Sequence, residues 1–168
     1  NLCMTGNNLD DHLRHGVVIE NTYGSVVSGN MIEECNGTAI ILDRDCYGVT
    51  LSSNVIAHEE GGGIDLRDAH GCAVSANTFT IVKKDALRIG PASSRITVTG
   101  NNFSNSFIGA GSQKREKVDS AASGIVLAGT SDIAIDGNVF SGLTTKALTL
   151  EGEPSKGLLF TDNVLAEV

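Results

Sequence analysis

The stretch CAVSANTFTIVKKDALRI, residues 72–89, decides the fold. Its apolar side chains fall at alternate places: Cys72 and Val74 before Asn77, Phe79 after it, then Leu87 and Ile89. Alternation with period two describes strands that bury one face, whereas a helix of this length would show a period of 3.6. Asn77 sits between the first two strands.

The same pattern recurs along the chain. Asparagines stand at 7, 30, 54, 77, 101, 138 and 163, spaced by 23, 24, 23, 24, 37 and 25 residues. Five places before them are Leu2, Ser25, Val49, Cys72, Ile96, Ile133 and Leu158. Three before are Met4, Val27, Leu51, Val74, Val98, Ile135 and Phe160, and two after are Leu9, Ile32, Ile56, Phe79, Phe103, Phe140 and Leu165. A third apolar pair follows each of the first four Asn after ten and twelve residues, with Ile125/Leu127 and Leu148/Leu150 completing the series. Three short strands per unit, separated by turns, describe one rung of a coil. The Asn is expected at a sharp corner, itself in the left-handed conformation, with Asn side chains of successive rungs bonded in a ladder. The place before the third strand's first apolar residue is always small: Gly16, Ala39, Gly63, Ala86, Gly124, Ala147.

This pattern resembles the right-handed parallel β-helix of the pectate-lyase-like superfamily, and the resemblance runs from Leu2 to Leu165. It implies an all-β, single-stranded solenoid of six to seven rungs, but not a particular activity, because the coil hosts lyases, hydrolases, epimerases and passive stalks. The strand that opens each rung would be Gly16–Glu20, Ala39–Asp43, Gly63–Arg67, Ala86–Gly90, Gly124–Ala128 and Ala147–Glu151. In enzymes of the superfamily, the groove lies on the outer face of this first sheet, walled by variable turns. Residues 1–168 are read as one β-helix domain, a fragment of a longer protein whose open ends are covered by flanking domains or other chains. The 37-residue spacing places a loop insertion at 107–123.

Composition narrows the partners. A net charge of −8 disfavours nucleic acid and anionic membrane, and no apolar run approaches the roughly 20 residues of a membrane span. Polysaccharide is the expected partner, in an extracellular or periplasmic setting. Four cysteines without a CxxC pair point to free, buried or half-buried thiols.

Charges gather on the outward face of the first sheet. Register sets Asp65 beside Arg88, and Asp43 between Glu20 and Arg67, about 4.8 Å apart. Asp65, Asp43, Arg67 and Arg88 are the candidate catalytic residues, with His58 as auxiliary acid or base. Glu20, Lys83, Lys84, Lys114 and Arg115 would contact substrate. Asp43 and Asp65 should lie roughly 8 Å apart, compatible with an inverting glycosidase pair. The arginines suit a uronate carboxylate, as a lyase or epimerase needs. Simple surface ion pairing, in a structural or adhesive segment, is the rival reading. The Gly-His-Gly signature of polygalacturonases and the Asp-Pro-His-Glu motif of mannuronate epimerases are missing; Asp68-Ala69-His70-Gly71 shares two letters with the latter. Glu20, Glu34 and Asp43 could gather a Ca²⁺, without EF-hand spacing, and no other cofactor is expected. The run HEEGGGIDLRD, residues 58–68, is no phosphate loop, because neither a helix nor a Lys-Ser/Thr ending follows its glycines.

Overall fold

The structure, a computed structural model, describes residues 1–104, 124–143 and 145–166. Three sheets wind into a right-handed coil, and every pairing within them is parallel. The first sheet stacks Val17–Glu20, Ile40–Asp43, Ile64–Leu66, Leu87–Ile89, Ile125–Ala128 and Leu148–Glu151. The second holds the strands that precede each ladder Asn, from Cys3–Thr5 to Lys156–Thr161, with two short additions at its corner, Cys46–Tyr47 and Ala69–His70. The third holds the strands after each Asn, from Asn8–Asp10 to Val164–Ala166. Among the described residues no helix is long and apolar enough to cross a membrane.

The alternating apolar residues fill the bore. Val27, Leu51, Val74, Val98 and Ile135 from the second sheet meet Ile40, Ile64, Leu87 and Ile125 from the first, all buried. Phe79, Phe103 and Phe140 stack with ring centroids 4.8 Å apart and planes 7° and 4° from parallel, because identical residues recur at the rung spacing. The small residue that opens each first-sheet strand passes close to the next rung. A Cβ on Gly63 would lie 2.3 Å from the Ala86 carbonyl oxygen, so only a bare backbone fits.

The Asn ladder is complete from Asn7 to Asn163. Each Oδ1 from Asn30 onward accepts both the backbone N–H and the Nδ2–H of the preceding ladder Asn, at 2.9–3.1 Å. From Asn30 onward each Nδ2 also donates to the second-sheet carbonyl three residues before the previous ladder Asn. The expected conformation needs correction. The left-handed residue is the one before each Asn: Gly6, Gly29, Ser53, Ala76, Gly100, Gly137 and Asp162. That residue makes the turn, and the Asn is free to point inward and bond along the coil axis. Further left-handed turns fall five places to either side, as at Gly24, Gly48 and Gly71 and at Asp11, Glu34, His58 and Ile81.

All four thiols are free; Cys35, Cys46 and Cys72 are buried, while Cys3 is exposed. The insertion expected at 107–123 lies outside the described residues, as do its Lys114 and Arg115. The rung that contains it still closes, with the Asn101 N–H donating to Asn138 Oδ1 at 2.9 Å across 37 positions.

Candidate functional site

Four of the charged residues singled out in the sequence come together on the outer face of the first sheet. Asp65 and Arg88 are register partners, as are Glu20 and Asp43. The side chains keep one neighbour that register implies, Asp43 for Arg67, and otherwise choose other partners. Arg67 Nε donates to Asp65 Oδ2 at 2.8 Å, two residues back along the chain, and its terminal nitrogen reaches Asp43 Oδ2 at 3.7 Å. Arg88 turns from Asp65 toward Glu151 Oε2 at 2.8 Å and Asp85 Oδ2 at 3.2 Å. Glu20 takes Arg44, at 3.3 Å. The flanking acids raise both guanidinium pKa values: chiefly the hydrogen bond to Asp65 for Arg67, and to Glu151 for Arg88. This strip is partly exposed, from 19% for the Asp65 side chain to 45% for Arg67. The rest of the face is uneven: Val18 is 50% exposed, whereas the outward Ile41 and Val126 are buried at 1% each.

His58 is elsewhere. Its left-handed turn takes the chain out of the third sheet, and its Nδ1 lies 3.8 Å from Glu33 Oε2. It borders a cleft of about 500 Å³ with Asp11, Glu34, Glu60 and Lys83, in which Lys83 is paired to Glu60. Lys84 lines a separate hollow of about 140 Å³ with Asp65, Asp85 and Arg88. The structure therefore divides the candidate residues between a sheet face and a turn cleft. Among the described residues, the carboxylates that converge as a set of three are Asp10, Asp11 and Glu34, all exposed, rather than Glu20, Glu34 and Asp43.

Sequence reasoning counts Glu59 only among the charges of the variable turn, not in the core. Glu59 occupies the place five after a ladder Asn, where His12, Cys35, Val82 and Leu143 stand on other rungs. Cys35, Val82 and Leu143 belong to the core, so this carboxylate points into the bore. Glu59 is fully buried and neither of its oxygens has a hydrogen-bond partner. Burial pushes its carboxyl up to about 8, partly countered by the Cys35 thiol beside it. Cys35 is pushed up to about 12, by burial first and then by Glu59. The signal in the sequence was an acid in a column where Cys35, Val82 and Leu143 belong to the core, but the column lies in a turn without strand alternation.

Residues 1–118 match the model of the family described as "Periplasmic copper-binding protein (NosD)". The chain belongs to the NosD family. That family is periplasmic, in agreement with an extracellular or periplasmic setting. No curated protein matches this NosD-family chain in sequence. Among solved structures, it is similar to the periplasmic alginate epimerase AlgG, with a TM-score of 0.68 at 16% identity, over 97% of this chain and 39% of that one. A double mutant of the same epimerase gives a TM-score of 0.50 at 17% identity, over 96% and 39%. At these identities the likeness establishes the β-helix alone, and the NosD-family chain spans about two fifths of the epimerase's length.

Proposed function

We propose that this chain is a polysaccharide-binding segment of a NosD-family β-helix, with the glycan lying across the first sheet over Asp43, Asp65, Arg67 and Arg88. The observation that carries this reading is the ion-paired, partly exposed strip on that face. Carboxylates and guanidiniums held against one another present fixed acceptors and donors at the rung spacing, a surface suited to rows of sugar hydroxyls. The fold neighbour is an alginate epimerase, a protein that handles a polysaccharide, and this supports the same substrate class. Binding is favoured over turnover because the charges are spent on one another. Asp43 and Asp65 share one guanidinium, an arrangement for two anions rather than for an acid and a base.

Copper, named in the family's description, does not fit the donors present. The chain has four Cys, four His and two Met, all between Cys3 and Cys72. Cys35, Cys46 and Cys72 direct their thiols at backbone carbonyls of Glu33, of Ile19 and Asp43, and of His70. His15 accepts the Thr38 N–H, Met4 packs against the core, and Met31 is on the surface. Among the described residues the one converging set of three from His, Cys, Asp and Glu is Asp10, Asp11 and Glu34, hard oxygen donors rather than the thiolate, thioether or imidazole that select copper. No step is assigned to copper here.

A glycan array and polysaccharide pull-down with the wild type beside Arg67→Ala/Arg88→Ala tests the reading. Retention on at least one neutral or uronate glycan should fall by about tenfold or more in the double variant, as expected when charge-assisted contacts worth about 1.5–3 kcal/mol are lost. No retention of the wild type on any glycan would leave a purely structural coil. Depolymerisation or epimerisation that vanishes in Asp65→Asn would replace binding with catalysis.

A further inference from the structure

At the corner between the first and second sheets, on residues that the glycan strip does not use, three side chains are joined in line. Ser94 and His70 are register partners on neighbouring rungs, and His70 Nδ1 lies 2.9 Å from Ser94 Oγ. The other ring nitrogen, Nε2, lies 3.1 Å from Asp68 Oδ1. The second oxygen of that carboxylate accepts the Asp45 N–H at 2.8 Å, which fixes its orientation. A proton on Nε2 is directed at the carboxylate, so the lone pair of Nδ1 is left facing the serine hydroxyl. A nucleophile, a base in hydrogen-bond reach of it, and a third group orienting the base are the parts of an acyl-transfer site. The two ring nitrogens are exchanged relative to the serine proteases, where Nε2 faces the serine; the chemistry requires only that the unprotonated one does so.

We propose that Ser94, His70 and Asp68 form a hydrolytic relay for short-chain carboxylic esters. The side chains are accessible yet held: His70 is 27% and Asp68 33% exposed. Two tyrosines extend the same column. Tyr47 pairs with His70, Tyr23 pairs with Tyr47, and their rings stack 5.3 Å apart while 49% and 54% of the residues stay exposed. They give the apolar part of an ester a surface that leads to the serine.

The step balances with water as the co-reactant. Ser94 Oγ attacks the ester carbonyl carbon as its proton passes to His70 Nδ1, and the tetrahedral adduct expels the alcohol, which takes that proton. Water then attacks the acyl-serine, gives a proton to His70, and releases the carboxylic acid while Ser94 regains its hydrogen. Nothing is oxidised or reduced. This site does not rest on the polysaccharide reading, and either can fail without the other.

The test combines a fluorophosphonate probe, which labels activated serines, with release of p-nitrophenol from p-nitrophenyl acetate. The folded wild type should gain one adduct on the peptide carrying Ser94, and labelling should abolish ester turnover in proportion. Ser94→Ala should lose both signals, and His70→Gln should slow both by about a hundredfold or more, in line with the loss of general-base assistance. Ser75→Ala, a hydroxyl elsewhere on the second sheet, should leave them unchanged. The proposal is overturned if the folded wild type takes no adduct, if the adduct persists in Ser94→Ala, or if His70→Gln labels at the wild-type rate. Because proportional inhibition of the wild type needs no substitution, a variant that misfolds does not rescue the idea.

Discussion

Two columns of this coil carry buried polar groups, and they obey opposite rules. The Asn ladder places one amide per rung in the interior and bonds it forward, backward and to a carbonyl, so that no donor there is wasted. The column at Cys35, Glu59 and Val82 also repeats rung by rung, with Glu60 N–H donating to Cys35 O and Lys83 N–H to Glu59 O. Its backbone is satisfied, but its carboxyl side chain has nothing to bond. The difference shows that stacking at the rung spacing stabilises a buried polar group only when that group can bond to its own copy. An amide is both donor and acceptor, whereas a lone carboxyl between a thiol and a valine is neither matched nor repeated.

The contrast can be pressed hardest through Glu59. Its folded pKa of about 8 lies above the usual 4.5, so the unfolded chain releases this proton first as pH rises. Stability attributable to Glu59 is therefore whole below pH 4.5, drains between 4.5 and 8, and is flat above. At 1.36 kcal/mol per unit the drop amounts to about 5 kcal/mol. Urea denaturation from pH 4 to 9 should show that decline in the wild type and a much shallower one in Glu59→Gln; superimposable curves would remove the contrast.

From the other side, Asn77→Ala removes four buried hydrogen bonds: those Oδ1 accepts from the Asn54 N–H and Nδ2–H, and those Nδ2 donates to the Leu51 carbonyl and Asn101 Oδ1. At about 1 kcal/mol each the expected loss is about 4 kcal/mol, read as a lower urea midpoint, independent of pH over the range in which Glu59 acts. A third buried-versus-exposed comparison sharpens the rule. Arg67→Ala breaks ion pairs that water already screens, and should cost less than about 1 kcal/mol, shrinking further in high salt. A loss as large as that of Asn77→Ala would mean that the surface strip holds the coil together.

The coil itself was legible because Asn spacing and period-two alternation repeat often enough to fix the register of all three sheets. Other features were less so. The corner conformation was assigned to Asn because Asn tolerates it, yet the preceding residue takes it, even where that residue is Ser53 or Ala76. Register adjacency of Asp65 and Arg88 could be counted along the sequence, whereas the reach of a long guanidinium to Glu151 depends on three-dimensional direction. His58 could be placed in the turns, on one register with Asp11 and Glu34 four residues after a ladder Asn, and the cleft it borders is lined by both. Glu59 was legible only as one more turn charge beside His58, because a turn without alternation does not reveal which side chain faces inward. Ser94, unlike His70 and Asp68, sat in no motif at all, and only closure of the coil brings it onto His70.

The ladder also counts turns without measuring what lies between them. Asn101 bonds to Asn138 with the same geometry that joins Asn54 to Asn77, although the intervening chain is longer by more than half. The backbone of this solenoid is thus indifferent to cargo at that corner. A recognition loop, an epitope or a whole small domain could be exchanged there, and selection could rewrite specificity at one place while the rungs on either side kept their sequence grammar intact.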